Sequence, residues 1–438
     1  MLKAIKIRLY PNKEQEIYIG KLLGCYRFVY NKCLEQKQTA YTTDKKNLGL
    51  KELGKYFHNS LTKSEEYSFL KEHNTKVLKQ SIMNMMEAYK RFFVSNNGFP
   101  KFKSKKDNKH TCRFPLEAIS KRNDYNSGRL SLTSDLKNIK FKCSDKYKHL
   151  LTEYKKGIRS ATLTKTNTNK YFLSILIECT DTKILPSSDK VVGIDLGIKD
   201  FIITSDGVKY NNLKSIRSNQ KTLKRLHKRL SKKQKGSKNK TKARIKLAKK
   251  HERLTNQKEA YLHKIINELL YDNQVVVMED LNVKGMMKNH KLARSIQELS
   301  LGDFKTKLLY KAEWAYREIV EVDRFFPSSK LCSDCGYKNN LLTLKDREWA
   351  CPDCGVVHDR DVNAATNIKY EGIRILNTPM ESKKNSLVVK NKIGCRTAEF
   401  KPVEIRSVDD RCESNLKSTV LMKQEIENGR CIDLSKFL

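Results

Sequence analysis

The chain opens on an alternation, Ile5, Ile7 and Leu9 separated by Lys6 and Arg8, which predicts a strand that Pro11 ends. From Lys13 to about Phe93 the period changes. Leu22, Leu23, Tyr26, Phe28 and Val29, then Val77, Leu78, Ile82, Met85 and Met86, recur at steps of three and four, the mark of a helical subdomain with largely basic polar faces. Gly98 and Pro100 in NNGFPKFKSKK mark a loop leaving the helices. Short strand patterns resume at 130–132, 139–141, 161–163 and 171–177. The turn-rich TKTNTNK between the last two suits a hairpin, so a small antiparallel β unit is expected, which the N-terminal strand can join.

A second pattern starts at Val191. Val191 to Asp195 and Phe201 to Thr204 read as adjacent strands joined by LGIK, a long lysine-rich helical stretch follows, and Val275 to Glu279 is another buried strand, so this half is α/β or α+β. After Asp361 a helix begins, Val362 to Ile368, and periodicity is lost from about Glu371, leaving a loosely ordered tail to Leu438. No repeat of 20 to 50 residues stands out beyond two CxxCG halves.

Length and charge then narrow the partners. At about 150 residues per domain, 438 residues make roughly three domains. Lys plus Arg number 89 against 49 Asp plus Glu, so the formal charge is 89 − 49 = +40, a self-repulsion that calls for a polyanion, and nucleic acid is the default. The 38% hydrophobic and 8% aromatic content still allows ordinary cores. No apolar run approaches the roughly 18 residues of a membrane span. Lys3, Lys6 and Arg8 break any secretory h-region, so the expected place is inside the cell, and the family resemblance given below makes that a prokaryotic cytoplasm with its nucleoid. Between 221 and 253 sixteen Lys or Arg face the single Glu252, and SKKQKGSKNK suggests two helices with a joint. A solvated basic face would look the same, but this density favours contact with a nucleic-acid backbone through Lys224, Arg225, Lys228, Arg229, Lys232 and Lys233.

The sharpest chemical signal is Cys332-x2-Cys335-Gly336 with Cys351-x2-Cys354-Gly355. Two such knuckles offer four thiolates to one tetrahedral Zn²⁺, and the glycine after each pair permits a tight turn. With all four positions filled the zinc is structural, and because the unit is too small to bury a core, metal decides its folding. His358 is a candidate substitute ligand, weighed against a plain surface histidine. The other eight of the twelve cysteines are scattered, and no disulfide is expected in a reducing compartment.

A second signal is carboxylates at strand ends: Asp195 in VVGIDLGIKDF, Glu279 in VVVMEDLNV and Asp361 in HDRDVNAATNI. A carboxylate after four apolar residues is poorly placed for solvation, and a shared divalent cation is the usual solution. Each has a bland alternative: a turn residue for Asp195, an ion pair with lysine for Glu279, an N-cap for Asp361. Together, in so basic a chain, they suggest Mg²⁺-dependent phosphodiester hydrolysis with two ions. Asp359 and Asp280 are rival third carboxylates that only geometry could exclude. An actin-like or sugar-kinase phosphate loop also fits VVGIDLGIKD, but no later Gly-rich adenosine loop supports it.

LYPNKEQE, GCYRFVYNKCLE, LKQSIMNMMEAYKRFF, GFPKFKSKK, GIDLGIKDF, VMEDLNVKGM and CSDCG…CPDCG…HDRDVNAATNI, in that order, resemble the TnpB family, the RNA-guided nucleases of insertion-sequence transposons related to type V CRISPR effectors and Fanzor proteins. The resemblance implies an α+β multidomain chain. It comprises a wedge β-barrel from 1–10 and 118–190, an inserted helical recognition lobe at 11–117, and a RuvC nuclease domain of RNase H fold at 191–326 and 356–372. A zinc ribbon at 327–355 and a variable tail at 373–438 complete it. It places the three catalytic, Mg²⁺-holding acids on Asp195, Glu279 and Asp361, none substituted, with Arg360 and Asn363 orienting the third acid or the scissile phosphate. Lys76 and Gln80, one helical turn apart, fall where the family reads a short motif beside the DNA target; Gln suits adenine and Lys guanine or phosphate. A guide RNA and double-stranded DNA are the implied partners, base pairing reading the rest of the target. No heptad or exposed apolar stripe demands a dimer, so a monomer on RNA is expected. The expected function is a guided DNA endonuclease. The alternatives are a guided DNA-binding regulator without cleavage and a strand-joining transposase.

Overall fold

The computed structural model describes residues 1–378 except 96–97, 108–109, 121, 181–184, 187, 214–217 and 344. The tail expected after 378, with Cys395, Cys412 and Cys431, lies outside the described residues. Two compact units result, Met1–Asp181 and Thr182–Leu438.

In the first unit β1 (Leu2–Tyr10) leads through Pro11 into α1 (Lys13–Asp44), then α2 (Leu50–Tyr56) and α3 (Thr75–Ser95). Asn12 and Gln15 bond each other's backbone amides in a capping box, which fixes where α1 starts, and Lys45 in the left-handed region ends it. There follow β2 (His110–Pro115), β3 (Arg129–Leu130), β4 (Ile139–Lys142), α4 (Asp145–Glu153), β5 (Ile158–Lys165) and β6 (Tyr171–Glu178). The six strands form one antiparallel sheet in the order β2-β5-β6-β1-β4-β3. No pairing joins its edge strands β2 and β3 among the described residues. The N-terminal strand does enter this sheet, paired along its length with β6, and TKTNTNK makes the β5–β6 hairpin as its composition predicts. Two elements differ from the sequence reading. Residues 110–115, placed within the helical stretch 11–117, are an edge strand whose Cys112 and Phe114 alternate inward. α4 interrupts the strand-rich stretch 118–190, its Leu150 and Leu151 buried.

The second unit is built on β7 (Val191–Asp195), β8 (Asp200–Thr204) and β9 (Lys209–Asn211), the helices α5 (Gln220–Ser231) and α6 (Lys238–Asp272), and β10 (Val275–Glu279). α7 (Val283–Met286), α8 (His290–Leu299), α9 (Leu301–Ala315), β11 (Glu318–Val322), β12 (Glu348–Ala350), β13 (Val357–Asp359) and α10 (Arg360–Asn377) complete it. The sheet order is β11-β10-β7-β8-β9, with β7, β10 and β11 parallel and β8 and β9 antiparallel. Its central strands are apolar throughout because both faces are covered. Val192, Ile194, Val276, Met278 and Ile319 pack with α6, α8 and α9, while Val191, Val275, Val277, Val320 and Val322 pack with α10.

α10 runs nine residues beyond Ile368, where the predicted helix stopped. The tail therefore does not begin at 373. Gly372 is the contact point: a Cβ there would come 2.4 Å from the methyls of Val277. Gly193 does the same on β7, where a Cβ would meet the Ala365 carbonyl oxygen at 2.1 Å. The two glycines let α10 lie directly on the sheet. None of the described helices is long and apolar enough to cross a membrane.

Candidate active site

Strand parity decides which side chains meet. Successive residues of a strand point to opposite faces, so Asp195 shares the α10 face of β7 with Val191, and Glu279 shares that face of β10 with Val275 and Val277. Both stand at the carboxyl ends of adjacent parallel strands, beside the N-terminus of α10 that carries Asp361. Asp195 is half-buried, and burial, helped by the negative charges of Glu279 and Asp361, pushes its carboxyl up to about 7. Burial also raises Glu279, partly offset by Ser328 Oγ, which donates to Glu279 Oε1 at 2.7 Å. Asp361 is held by the Arg347 guanidinium at 3.3 Å. Neither Ser328 nor Arg347 carries a sequence signal, since both act from loops that only the fold brings near.

The rival carboxylates are occupied elsewhere. Asp359 caps α10, accepting from the amides of Asp361 at 3.0 Å and Val362 at 3.2 Å, and pairs with Lys209 at 2.5 Å. Asp280 faces the opposite side, where Lys305 at 2.9 Å and Arg324 hold it; these cations keep its carboxyl below the ordinary range. Asp361 is thus not the N-cap, and Glu279 has a hydroxyl where an ion pair with lysine was the alternative.

The four cysteines also meet. Cys332 and Cys354 Sγ lie 3.6 Å apart, Cys335 and Cys351 Sγ 3.5 Å, and all four sulfurs fall within 4.8 Å of one another. Four thiolates about 2.3 Å from one zinc ion would stand about 3.8 Å apart, so the set fits a tetrahedral site. The two knuckles share one geometry. Cys332 and Cys351 N–H donate to the carbonyls of Tyr337 and Val356 at 2.9 Å, and Gly336 and Gly355 turn the chain at φ 77° and 72°. His358, weighed as a surface histidine, is instead buried against Trp349 of the β12–β13 ribbon.

α10 ties the two clusters together. Asn363 donates to the Leu331 carbonyl at 2.6 Å and accepts from Ser333 N–H at 2.9 Å, Asn367 donates to Ser328 and Leu331 carbonyls at 2.8 Å, and Arg360 donates to the Thr343 carbonyl at 2.8 Å. Arg360 and Asn363, expected beside the acid, hold the cysteine module instead. Only the charge of Arg360 is felt at Asp195.

The remaining predicted residues lie apart from these clusters. Lys76 is exposed in the first turn of α3, where Asn74 caps the helix, and half-buried Gln80 follows one turn later on the same side. Lys224, Arg225, Lys228 and Arg229 on α5, and Lys232 and Lys233 just after it, are all exposed, and Leu226 is the buried residue of that helix.

Residues 174–290 match a family model described as a probable transposase, OrfB of IS605, and residues 302–368 a Cas12f1-like TNB domain. Residues 1–46 match the helix-turn-helix domain of OrfB, although they form β1 and one uninterrupted helix. A Streptomyces pristinaespiralis protein assigned as an RNA-guided DNA endonuclease is 36% identical over 378 residues, 85% of this chain and 89% of that one. InsQ of Escherichia coli K12, assigned the same activity, is 26% identical over 86% of this chain and 93% of its own. Among solved structures, the Cas12f1–sgRNA–target DNA complex matches in fold, with a TM-score of 0.52, 15% identity, and coverage of 84% of this chain and 98% of that one.

Proposed function

Since this chain belongs to the TnpB family of RNA-guided DNA endonucleases, we propose that it binds a guide RNA and cuts DNA complementary to that guide, hydrolysing phosphodiester bonds at Asp195, Glu279 and Asp361. One observation carries the reading: three carboxylates drawn from residues 195, 279 and 361 converge where the adjacent strands β7 and β10 end beneath the start of α10, and burial, helped by the other two charges, pushes Asp195 up to about 7. Such crowding stabilises nothing by itself. It is relieved by a hard divalent cation, and the all-oxygen donor set fits magnesium. When bound, two such ions would lower the pKa of the attacking water and offset charge on the leaving oxygen.

The chain's own residues prepare that site. Ser328 fixes the orientation of Glu279, and Arg347 balances Asp361 until metal replaces it. Asp359 holds the helix that carries Asp361. The sheet, three antiparallel strands continued by two parallel ones, supports a RuvC domain of RNase H fold at 191–326 and 356–377, interrupted by a zinc ribbon. The six-stranded sheet supports the wedge barrel, with β2 added to its strands and the helical lobe ending before it. Lys76 and Gln80 read the short DNA motif, and the basic stretch from Lys224 to Lys233 holds backbone phosphates of guide or heteroduplex.

The test is Asp195→Ala in chain expressed with the DNA flanking its gene. Plasmid cutting with Mg²⁺ is expected to vanish while the co-purified RNA and target binding stay, because the acid holds metal and not nucleic acid. Loss of RNA in the variant overturns the assignment. A wild-type complex that binds its target uncut favours the regulator, and products joined to transposon ends favour the transposase.

A further inference from the structure

His358 sits in the middle of β13, directly across from Trp349 of β12 in the ribbon register. Its ring packs 5.0 Å from the indole, and the residue is only 7% exposed. A buried imidazole needs a polar partner, and His358 has one: its Nε2 stands 3.0 Å from Cys332 Sγ, a sulfur that is itself buried. Asp334 Oδ2, at 3.7 Å on an exposed side chain, is outside hydrogen-bond reach. Two roles are open to an imidazole here, ligand or donor. Geometry separates them. Two ligands of one tetrahedral zinc ion, with bonds of about 2.3 and 2.0 Å, stand roughly 3.5 Å apart, farther than this nitrogen is from this sulfur. The four cysteine sulfurs already fill the coordination sphere.

We propose that His358 is a positioning residue of the thiolate centre: with its proton on Nε2, it donates an N–H···S hydrogen bond to Cys332. The inference rests on the zinc reading and adds a function to a residue outside the ligand set. Four thiolates around one divalent ion carry a net charge of −2, and a donor aimed at one sulfur, in a pocket closed by Trp349, draws off part of that charge. It also holds Cys332 in the rotamer the metal needs. Groups that orient metal ligands in this way typically account for 10- to 100-fold in metal affinity. The placement matters beyond the ribbon, because the next residue, Asp359, caps the helix that presents Asp361.

The experiment uses the full-length chain purified with zinc, and its metal content is measured first. Transfer of zinc to a colorimetric chelator is then timed for wild type, His358→Phe and His358→Gln. Release from the Phe variant is expected to be 10- to 100-fold faster, with the Gln variant, whose amide can donate to the same sulfur, close to wild type. In cobalt-substituted chain the sulfur-to-metal charge-transfer band should move in the Phe variant and stay in the Gln variant. Equal release from Phe and wild type overturns the proposal. So does a Gln variant as fast as Phe, which would leave only ring packing, or a wild-type cobalt spectrum of three sulfurs and one nitrogen. Should His358→Phe fail to fold, His358→Asn decides, since its shorter amide cannot reach the sulfur and should release metal as Phe would. A wild-type chain with no zinc overturns the zinc reading and this inference with it.

Discussion

The carboxylate cluster and the thiolate cluster share a helix, yet they are assembled in opposite ways. Each cysteine knuckle is local: two sulfurs, a glycine at positive φ and a closing amide bond lie within about six residues, so the sequence spacing is already the geometry. The acids are 166 residues apart in chain and meet only because β7, β10 and α10 pack on one another (361 − 195 = 166). One site is thus built by its ligands, the other by the core beneath it. Metal should therefore be a folding requirement for the first and a passenger for the second.

The strongest way to break this contrast is at an acid. Asp195→Asn should cut cleavage by about a thousandfold or more, since several kcal/mol of charge stabilisation are lost, while the melting temperature holds or rises. A large drop in melting temperature would show that the acids hold the fold. At the thiolates the reverse is expected. Cys351→Ala should lose the zinc and leave 330–359 unfolded by hydrogen exchange, with cleavage falling because Asn363, Asn367 and Arg360 lose their partners. A zinc-free variant that cuts normally would sink the link through α10. Gly193→Ala tests the core itself: its Cβ would meet the Ala365 carbonyl oxygen at 2.1 Å, and overpacking of that kind costs about 1–3 kcal/mol. Thermal denaturation should show the loss, cleavage should drop, and zinc content should not change.

Proton linkage sharpens the contrast further. Asp195 titrates near 7 in the metal-free fold against an ordinary value of 3.8. Between those limits the folded chain holds more protons than the unfolded one, so metal-free stability falls as pH rises through that window. Magnesium must displace the proton, so its apparent affinity should climb from pH 6 to 8, and Asp195→Asn should flatten both slopes. Calorimetric titration at three pH values would measure it. The smallest effect belongs to Ser328→Ala, which removes one hydrogen bond to a charged oxygen, worth about 1.5–3 kcal/mol at most. A loss of cleavage rate of at most about a hundredfold is expected, without change in zinc.

What the sequence made legible follows the same division. CxxCG spacing announces a tetrathiolate because the motif is its own scaffold. The acids were legible as carboxylates stranded after apolar runs, and parity along VVGID and VVVME places two of them on one face. Which acid on HDRD was the third could not be read, because Asp359 and Asp361 differ only in which end of a helical turn they occupy. Residues 110–115 carry no strand reading and fall inside the lobe at 11–117 that the resemblance implies, because six residues with two buried positions are too short to announce a period. Periodicity reads as lost from about Glu371, whereas the helix continues to Asn377 and needs no side chain at Gly372 to touch Val277. Ser328, Arg347 and the burial of His358 depend on loops meeting, and no local pattern encodes that.

One carbonyl carries a further consequence. Leu331 accepts both Asn363 and Asn367 Nδ2, at 2.6 and 2.8 Å, so two anchors one helical turn, roughly 6 Å, apart along α10 grip the first knuckle at a single oxygen. One anchor would leave the ribbon free to swivel about it. Two donors converging on one oxygen still make one pivot, and it is the Ser333 amide donating to Asn363 and the Ser328 carbonyl bonded by Asn367 that add the points which stop rotation about it. In mechanical terms the ribbon is a clamped lever whose rocking is stopped at its root. Force applied at its tip is delivered to the helix that bears Asp361.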